Sequence, residues 1–195
     1  MKVTPGRGGT ASEPRLTSRM LASPVGENEA TLVLRARQGD SAALDQLYRA
    51  HKDQVYTLCL NLCGNREEAQ DLLQDTFVRA WRGMPKFAGR SSLRTWLCRI
   101  AINVARDAAR RRRRERNPVE MSQGADVAMV DSVRAVLAAL RPSHRAVLAL
   151  RFSQSLSYQE IAECLNWSLG RVKVTLHRAK REFKEAYLRT NESQP

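Results

Sequence analysis

Ser157-Tyr158-Gln159-Glu160-Ile161-Ala162-Glu163-Cys164-Leu165-Asn166-Trp167-Ser168-Leu169-Gly170-Arg171-Val172-Lys173 is the stretch on which the reading of this chain turns. Ser157 and Glu160 stand three apart, the spacing of a capping box in which each side chain meets the other residue's backbone amide. Ile161, Ala162 and Leu165 follow at helical intervals and predict a short helix with one buried face. A break at Asn166 and Trp167 precedes Ser168, a second good cap, and a helix predicted over 169 to about 188. At 100 degrees per residue Val172, Leu176, Ala179 and Phe183 share one stripe, and Arg171, Val174, His177, Arg178 and Arg181 share the opposite one. Two helices, a short turn and a basic outward face predict a helix-turn-helix that meets duplex DNA. Residues near the start of its second helix, Arg171, Lys173 and Val174, lie where base edges are read, and the later cations lie where phosphates are met. Val174 suits a thymine methyl. The plainer alternative, an amphipathic helix whose solvent face happens to be charged, leaves the coincidence of caps, turn, spacing and basicity unexplained.

Composition agrees with a polyanionic partner. The 195 residues carry a formal charge of +13, and 27 arginines outnumber 6 lysines, which favours the fork-shaped donor suited to phosphate and guanine. With 43% hydrophobic residues the chain can build one or two small cored domains. No run of 18 apolar residues and no apolar leader with a cleavage site is present, so the expectation is a cytoplasmic protein without membrane insertion. Cys59, Cys63, Cys98 and Cys164 lack paired metal-ligand spacing, and no zinc site is expected. Cys59 and Cys63, four apart on a predicted helix, read either as core residues or as a thiol pair that senses oxidants.

Helical periodicity runs through most of the chain, and the expected fold is all-α: two small helical domains joined by a flexible linker. Residues 1–28 mix Gly, Pro, Ser, Thr and Arg without a period and read as a flexible basic tail. Residues 29–112 read as the first domain, with a third helix over 66 to about 82 and a long helix over 92 to about 112. Residues 113–130 read as a linker, 131–190 as the second domain and 191–195 as a tail.

Two further surfaces lie in the first domain. On the third helix Ala69, Leu72, Leu73, Phe77 and Ala80 face inward, leaving Glu68, Asp71, Asp75 and Val78 outside. In so basic a chain an acidic stripe suits a basic protein surface, although a solvated face that balances net charge has the same pattern. On the long helix Leu93, Leu97, Ile100, Ala101, Val104 and Ala108 are assigned to the core, and Arg99, Ile102, Arg106 and Arg110 to the opposite face. Trp96 and Asn103 lie along the edge between them. An indole, an amide and a line of guanidiniums are the ingredients of a single-strand DNA site: a stacking plate, a base-edge reader and phosphate clamps; taken alone, Trp96 reads more often as a core residue. The five consecutive arginines at 110–114 read as a phosphate-gripping segment or as a solvated charge run.

These pieces, in this order, resemble the bacterial RNA polymerase sigma factors of the small, two-domain extracytoplasmic-function group. The resemblance covers about residues 29 to 188 and rests on Ala69-Gln70-Asp71-Leu72-Leu73-Gln74-Asp75-Thr76-Phe77-Val78-Arg79-Ala80-Trp81, on 87–101 with Arg94-Thr95-Trp96-Leu97, and on Leu140-Arg141-Pro142 onward through 180. It implies that Glu68, Asp71, Gln74, Asp75 and Val78 dock on the clamp helices of the largest polymerase subunit. It implies that Trp96, Arg99, Asn103, Arg106 and Arg110 capture and melt the minus-ten element, with Asn103 lining the pocket of an extruded base. The helix-turn-helix, through Arg171, Lys173, Val174, His177, Arg178 and Arg181, would read the minus-thirty-five element. The linker would thread toward the polymerase cleft. The implied partners are core polymerase, promoter DNA and an anti-sigma factor, frequently membrane-linked in this group. Neither cofactor, metal nor small-molecule substrate is implied, and the protein would be no enzyme. Where the group commonly reads Gly-Thr-Val-Lys-Ser-Arg, this chain has Gly170-Arg171-Val172-Lys173-Val174-Thr175, so its promoter preference is expected to be its own. Two rivals remain on the residues alone. A stand-alone helix-turn-helix regulator leaves the acidic stripe and the Trp96 to Asn103 edge without a purpose, and a nuclease lacks clustered carboxylates or histidines, since His51, His144 and His177 are scattered.

Overall fold

Asn28 caps the first described helix by accepting from the amide of Ala30, and caps of this kind mark most later helix starts. The structure is a computed structural model that describes residues 28–115 and 132–192. Most of the segments read as tail and linker therefore lie outside the described residues. The described helices are α1 (Glu29–Arg37), α2 (Ser41–Cys63), α3 (Arg66–Gly83), α4 (Leu93–Glu115), α5 (Ser132–Ala139), α6 (Pro142–Leu148), α7 (Tyr158–Leu165) and α8 (Leu169–Glu192). A 3-10 turn, Met84–Lys86, follows α3, and a π-helical turn, Ala149–Ser153, extends α6. No strand occurs among the described residues. Helix α4 runs to Glu115, three residues into the segment read as linker, and α8 runs to Glu192, two residues into the segment read as a tail. No described helix is long and apolar enough to cross a membrane.

Asp40 caps α2 through the amides of Ala42 and Ala43 at 2.9 and 3.3 Å, and Arg35 holds its carboxylate at 2.8 Å. Gly64 ends α2 in the left-handed region at φ 78°, where a side chain would cost energy that glycine avoids. Asn65 then caps α3 through the amide of Glu68 at 3.0 Å, so one glycine and one asparagine turn the chain between two long antiparallel helices. Ser92 starts α4 by accepting from the Thr95 amide at 3.1 Å.

Helices α1 to α4 pack around α2, and α5 to α8 pack around α8, but α2 also touches α5, α6 and the π turn, and α4 lies against α7. The two halves share one continuous core. Ile102, assigned by periodicity to the outward face of α4, is 2% exposed. Helix α7 packs against the side of α4 on which Thr95 and Arg99 meet Glu160 and Glu163, so the apolar stripe of α4 is wider than the first domain alone requires. Burying such a side chain contributes about 1.5–3 kcal/mol, enough to hold it under a neighbouring helix. Leu60 on α2, at 5% exposure, also belongs to the shared core.

The seam between the halves is polar as well as apolar. Gln154, 1% exposed, donates from Nε2 to the backbone oxygen of Gln54 at 2.9 Å and accepts at Oε1 from the Cys98 thiol at 3.8 Å. Arg94 donates to the backbone oxygen of Gln154. Arg145 donates to the Leu62 oxygen at 2.7 Å and to the Leu140 oxygen at 3.2 Å. It thereby places a cation at the C-terminal end of α2, whose last turn has no basic residue of its own. Thr95, 2% exposed, donates to Glu160 Oε1 at 3.0 Å, while its backbone oxygen accepts from Cys164 at 3.3 Å.

The capping box is present in full. The Glu160 amide donates to Ser157 Oγ at 3.2 Å, and Glu160 Oε2 accepts from the Ser157 amide at 2.8 Å. The bond from the Ser157 backbone, then its hydroxyl, then Thr95 and the charge of Arg94 hold the Glu160 carboxyl below its ordinary range. Its stabilising contribution is therefore complete above a pH of about 4.3 and is lost as pH falls through the lowered folded value. In urea denaturation, Ser157→Ala should cost about 1 kcal/mol. Glu160→Gln should flatten the loss of stability below about pH 4; an unchanged acid slope would show that the carboxylate is not coupled to folding.

All four cysteines are free. Burial pushes the thiols of Cys59 and Cys98 up to about 12 and that of Cys63 to about 11, and raises that of Cys164 further. Such thiols stay protonated and pack as small apolar groups. Iodoacetamide at pH 8 should modify the native protein at least about tenfold more slowly than the urea-unfolded chain, read by mass spectrometry; equal rates would show open, reactive thiols.

Candidate polymerase and nucleic-acid interfaces

The acidic side of α3 is exposed as its spacing predicts. Asp71, Gln74, Asp75 and Val78 face solvent, with Val78 47% exposed, while Glu68 is half-buried. Thr76, within the same helix, is buried and donates to the Leu72 oxygen, and the ring of Phe77 packs between Tyr48 and Trp81 at 4.8 and 5.3 Å.

The arginine run does not stand apart from this stripe. Arg112 pairs with Glu68, Arg111 approaches Asp75 at 3.9 Å, and Arg110 and Arg79 share Asp107 at 2.6 and 2.8 Å. Two of the stripe's carboxylates thus already face cations of α4. Asp71 forms no ion pair among the described residues and stays the freest anion of the face. Paired, exposed charges contribute little to stability, typically less than about 1 kcal/mol, so a stronger external cation can take them.

On α4 the predicted edge divides. Trp96 is half-buried, its ring 4.8 Å from that of Phe87. Gly83 lies beneath the indole: a Cβ there would stand 3.2 Å from its ring. Asn103 is exposed, one turn from both Arg99 and Arg106. Arg99 reaches across the seam to the Glu163 backbone oxygen at 3.4 Å. Burial, then the charges of Arg110 and Arg171, push the Arg106 guanidinium below its ordinary range. Arg171, at the start of α8, is thus among the charges that Arg106 feels across the seam.

On α8 the division into two stripes is complete. Val172, Leu176 and Ala179 are buried, and Arg171, Lys173, Val174, His177, Arg178 and Arg181 are exposed, Val174 by 51%. The cap expected at Ser168 is present, with the Arg171 amide donating to its Oγ at 3.3 Å, and the break expected at Asn166 is made by a left-handed residue at φ 55°. Trp167, in sequence a part of the break, has a further role. Its ring carries the Arg171 guanidinium at 4.0 Å, a contact whose signal was the four-residue spacing of an aromatic and a cation across the cap. No local pattern marks Phe152, 62% exposed beneath Lys180, or the seam residues Thr95 and Gln154. No cluster of His, Cys, Asp or Glu able to hold a metal occurs among the described residues.

These surfaces have counterparts. The family model for Sigma-70 region 2 matches residues 47–115, and that for Sigma-70 region 4 matches residues 131–183. The chain is 34% identical over 166 residues to the RNA polymerase sigma factor YlaC of Bacillus subtilis, covering 78% of this chain and 96% of that one. It is 33% identical over 190 residues to the ECF RNA polymerase sigma factor SigE of Mycolicibacterium smegmatis, covering 88% and 72%. Among solved structures, CnrH in complex with the cytosolic domain of CnrY superposes with a TM-score of 0.63 at 25% identity, covering 80% of this chain and 95% of that one. The sigma factor RpoE from Bartonella quintana, solved with the anti-sigma factor NepR, shares the fold at a TM-score of 0.63 and 22% identity, covering 73% and 94%. The chain belongs to the extracytoplasmic-function group of sigma-70 factors, and it is a non-enzymatic initiation factor that directs core RNA polymerase to promoter DNA.

Proposed function

We propose that the three exposed faces divide the work of initiation. Asp71, with Glu68, Gln74, Asp75 and Val78, docks on a basic surface of core polymerase. Asn103, flanked by Trp96, Arg99, Arg106 and Arg110, takes an extruded base of the minus-ten element and steadies its strand. Arg171, Lys173, Val174, His177, Arg178 and Arg181 read the minus-thirty-five element. The observation that carries this reading is the complete separation on α8 of a buried apolar stripe from an exposed basic one directly after two capped turns. Residues 29–112 act as the docking and melting domain and 131–190 as the duplex reader, with 113–130 as the connection between them. The work is done in the cytoplasm, where polymerase is. An anti-sigma factor is the proposed off-switch, as NepR is found bound to the Bartonella quintana relative of this fold.

Binding energy alone opens the duplex. Extruding a base costs a few kcal/mol, and stacking with pocket hydrogen bonds offsets it. The melting face is partly covered by α7, since Ile102 is buried and Arg99 is engaged by Glu163. Full use of α4 therefore requires α7 to leave it, which polymerase accomplishes by holding the two halves apart. Dyes placed at Arg90 and Lys184 should separate when core polymerase binds; an unchanged transfer efficiency in the transcribing complex would contradict this opening.

Run-off transcription with purified core polymerase tests the whole reading. Promoter-selective transcripts are expected with the full chain, and tight sequence-specific binding without polymerase would favour a stand-alone regulator. Asp71→Arg should weaken core binding by about tenfold or more, as reversing a complementary interface charge does. Asn103→Ala should lower open-complex formation, read by permanganate footprinting, and leave core binding unchanged. Equal loss of both would remove Asn103 from the melting site.

A further inference from the structure

Arg171 occupies an energetically awkward place. It is the third residue of α8, whose first turn contains no acidic residue, so its charge opposes the positive end of the helix dipole. It also lies close enough to Arg106 to depress the ionisation of that guanidinium. Among the described residues no carboxylate pairs with it; its contact is the neutral indole of Trp167. A cation set against a dipole and stacked on a neutral ring, with no carboxylate partner among the described residues, does not serve helix stability, and its arrangement points to an acceptor outside the chain.

Trp167 is well placed to present it. The residue follows the left-handed Asn166, its amide donates to the Ala162 oxygen at 2.9 Å, and its half-buried ring packs against the core. Its other side lies under the guanidinium of Arg171. Stacking occupies the flat face of a guanidinium and leaves the N–H groups around its edge free to donate. That geometry suits two parallel acceptors such as guanine O6 and N7, for which arginine is the usual partner in the major groove. Val174, one turn further along the same face and 51% exposed, presents an apolar surface beside it.

Resting on the assignment of α8 to the minus-thirty-five element, we infer that Trp167 is a positioning residue for promoter selectivity, whose indole holds Arg171 in the orientation that reads one guanine. The contact carries information about sequence rather than general affinity. A phosphate clamp, the other use of an arginine at a helix start, would need neither a fixed plane nor a stacked ring.

The test uses the full chain with core polymerase on templates randomised across the minus-thirty-five element, with transcripts counted by sequencing. The unaltered protein should favour guanine at one position. Arg171→Ala should reduce that preference about tenfold or more at that position alone. Trp167→Leu keeps apolar filling without the π face and should reduce it about threefold, whereas Trp167→Phe should stay close to the unaltered protein. Core binding and the preferences at other positions should hold in all three variants. Uniform loss across templates with a shallower salt dependence in Arg171→Ala would make the residue a phosphate clamp and overturn the inference. Equal behaviour of Trp167→Leu and Trp167→Phe would overturn the role of the ring. An unaltered chain with no promoter-selective transcription would overturn the parent reading, and with it this one; selective transcription with no preference for guanine would overturn this one alone.

Discussion

The carboxylate of Glu160 ties the two halves of the molecule together. One carboxylate oxygen accepts from the Ser157 amide and so starts the helix that leads into the DNA reader. The other accepts from Thr95 on the first turn of α4. The same charge is thus a local helix cap and a long-range tie, and its low ionisation point reflects both. Around it the seam is closed by Gln154, by the thiols of Cys98 and Cys164 and by Ile102. Because a buried amide or hydroxyl is costly only when it lacks partners, each of these groups ties the two halves in one relative orientation.

Charge works against that closure. The basic sides of α4 and α8, each suited to DNA, act on one another across the seam, where the charge of Arg171 reaches Arg106. The closed arrangement is a compromise in which apolar burial and a few well-formed hydrogen bonds outweigh repulsion between cations. A polyanion or a polymerase surface that engages either side removes part of the reason to remain closed. The arginine run has a comparable double character: Arg111 and Arg112 neutralise Asp75 and Glu68 within the chain, yet remain exposed enough to exchange partners.

The helix-turn-helix was legible because its signals are local. Capping pairs three residues apart, a left-handed break and a 3.6-residue period all lie within one or two turns, and each helix in turn meets its expected face. Val172, Leu176 and Ala179 turned inward and Arg178 and Arg181 outward for that reason. Ile102 was misplaced because periodicity describes one buried stripe per helix, and α4 has a second, supplied by a partner helix nearly sixty residues away. Thr95 and Gln154 were passed over for a related reason: a lone threonine or glutamine looks the same in a loop, on a surface or in a seam. Trp96 retained its edge position, but Gly83 and Phe87 hold its ring as part of the packing.

The amino-acid sequence by itself determined which segments are helical, where the capped ones start, the chemical character of most faces and to which family the chain belongs, since these depend on neighbours a few residues apart. Only the tertiary structure decided that the two halves close on one another, that Glu160 serves two helices, and that the acidic stripe is partly answered by the chain's own arginines. Those outcomes depend on side chains meeting in space across 28 to 100 residues of chain, and there the balance of burial, hydrogen bonding and charge is set by the assembled fold.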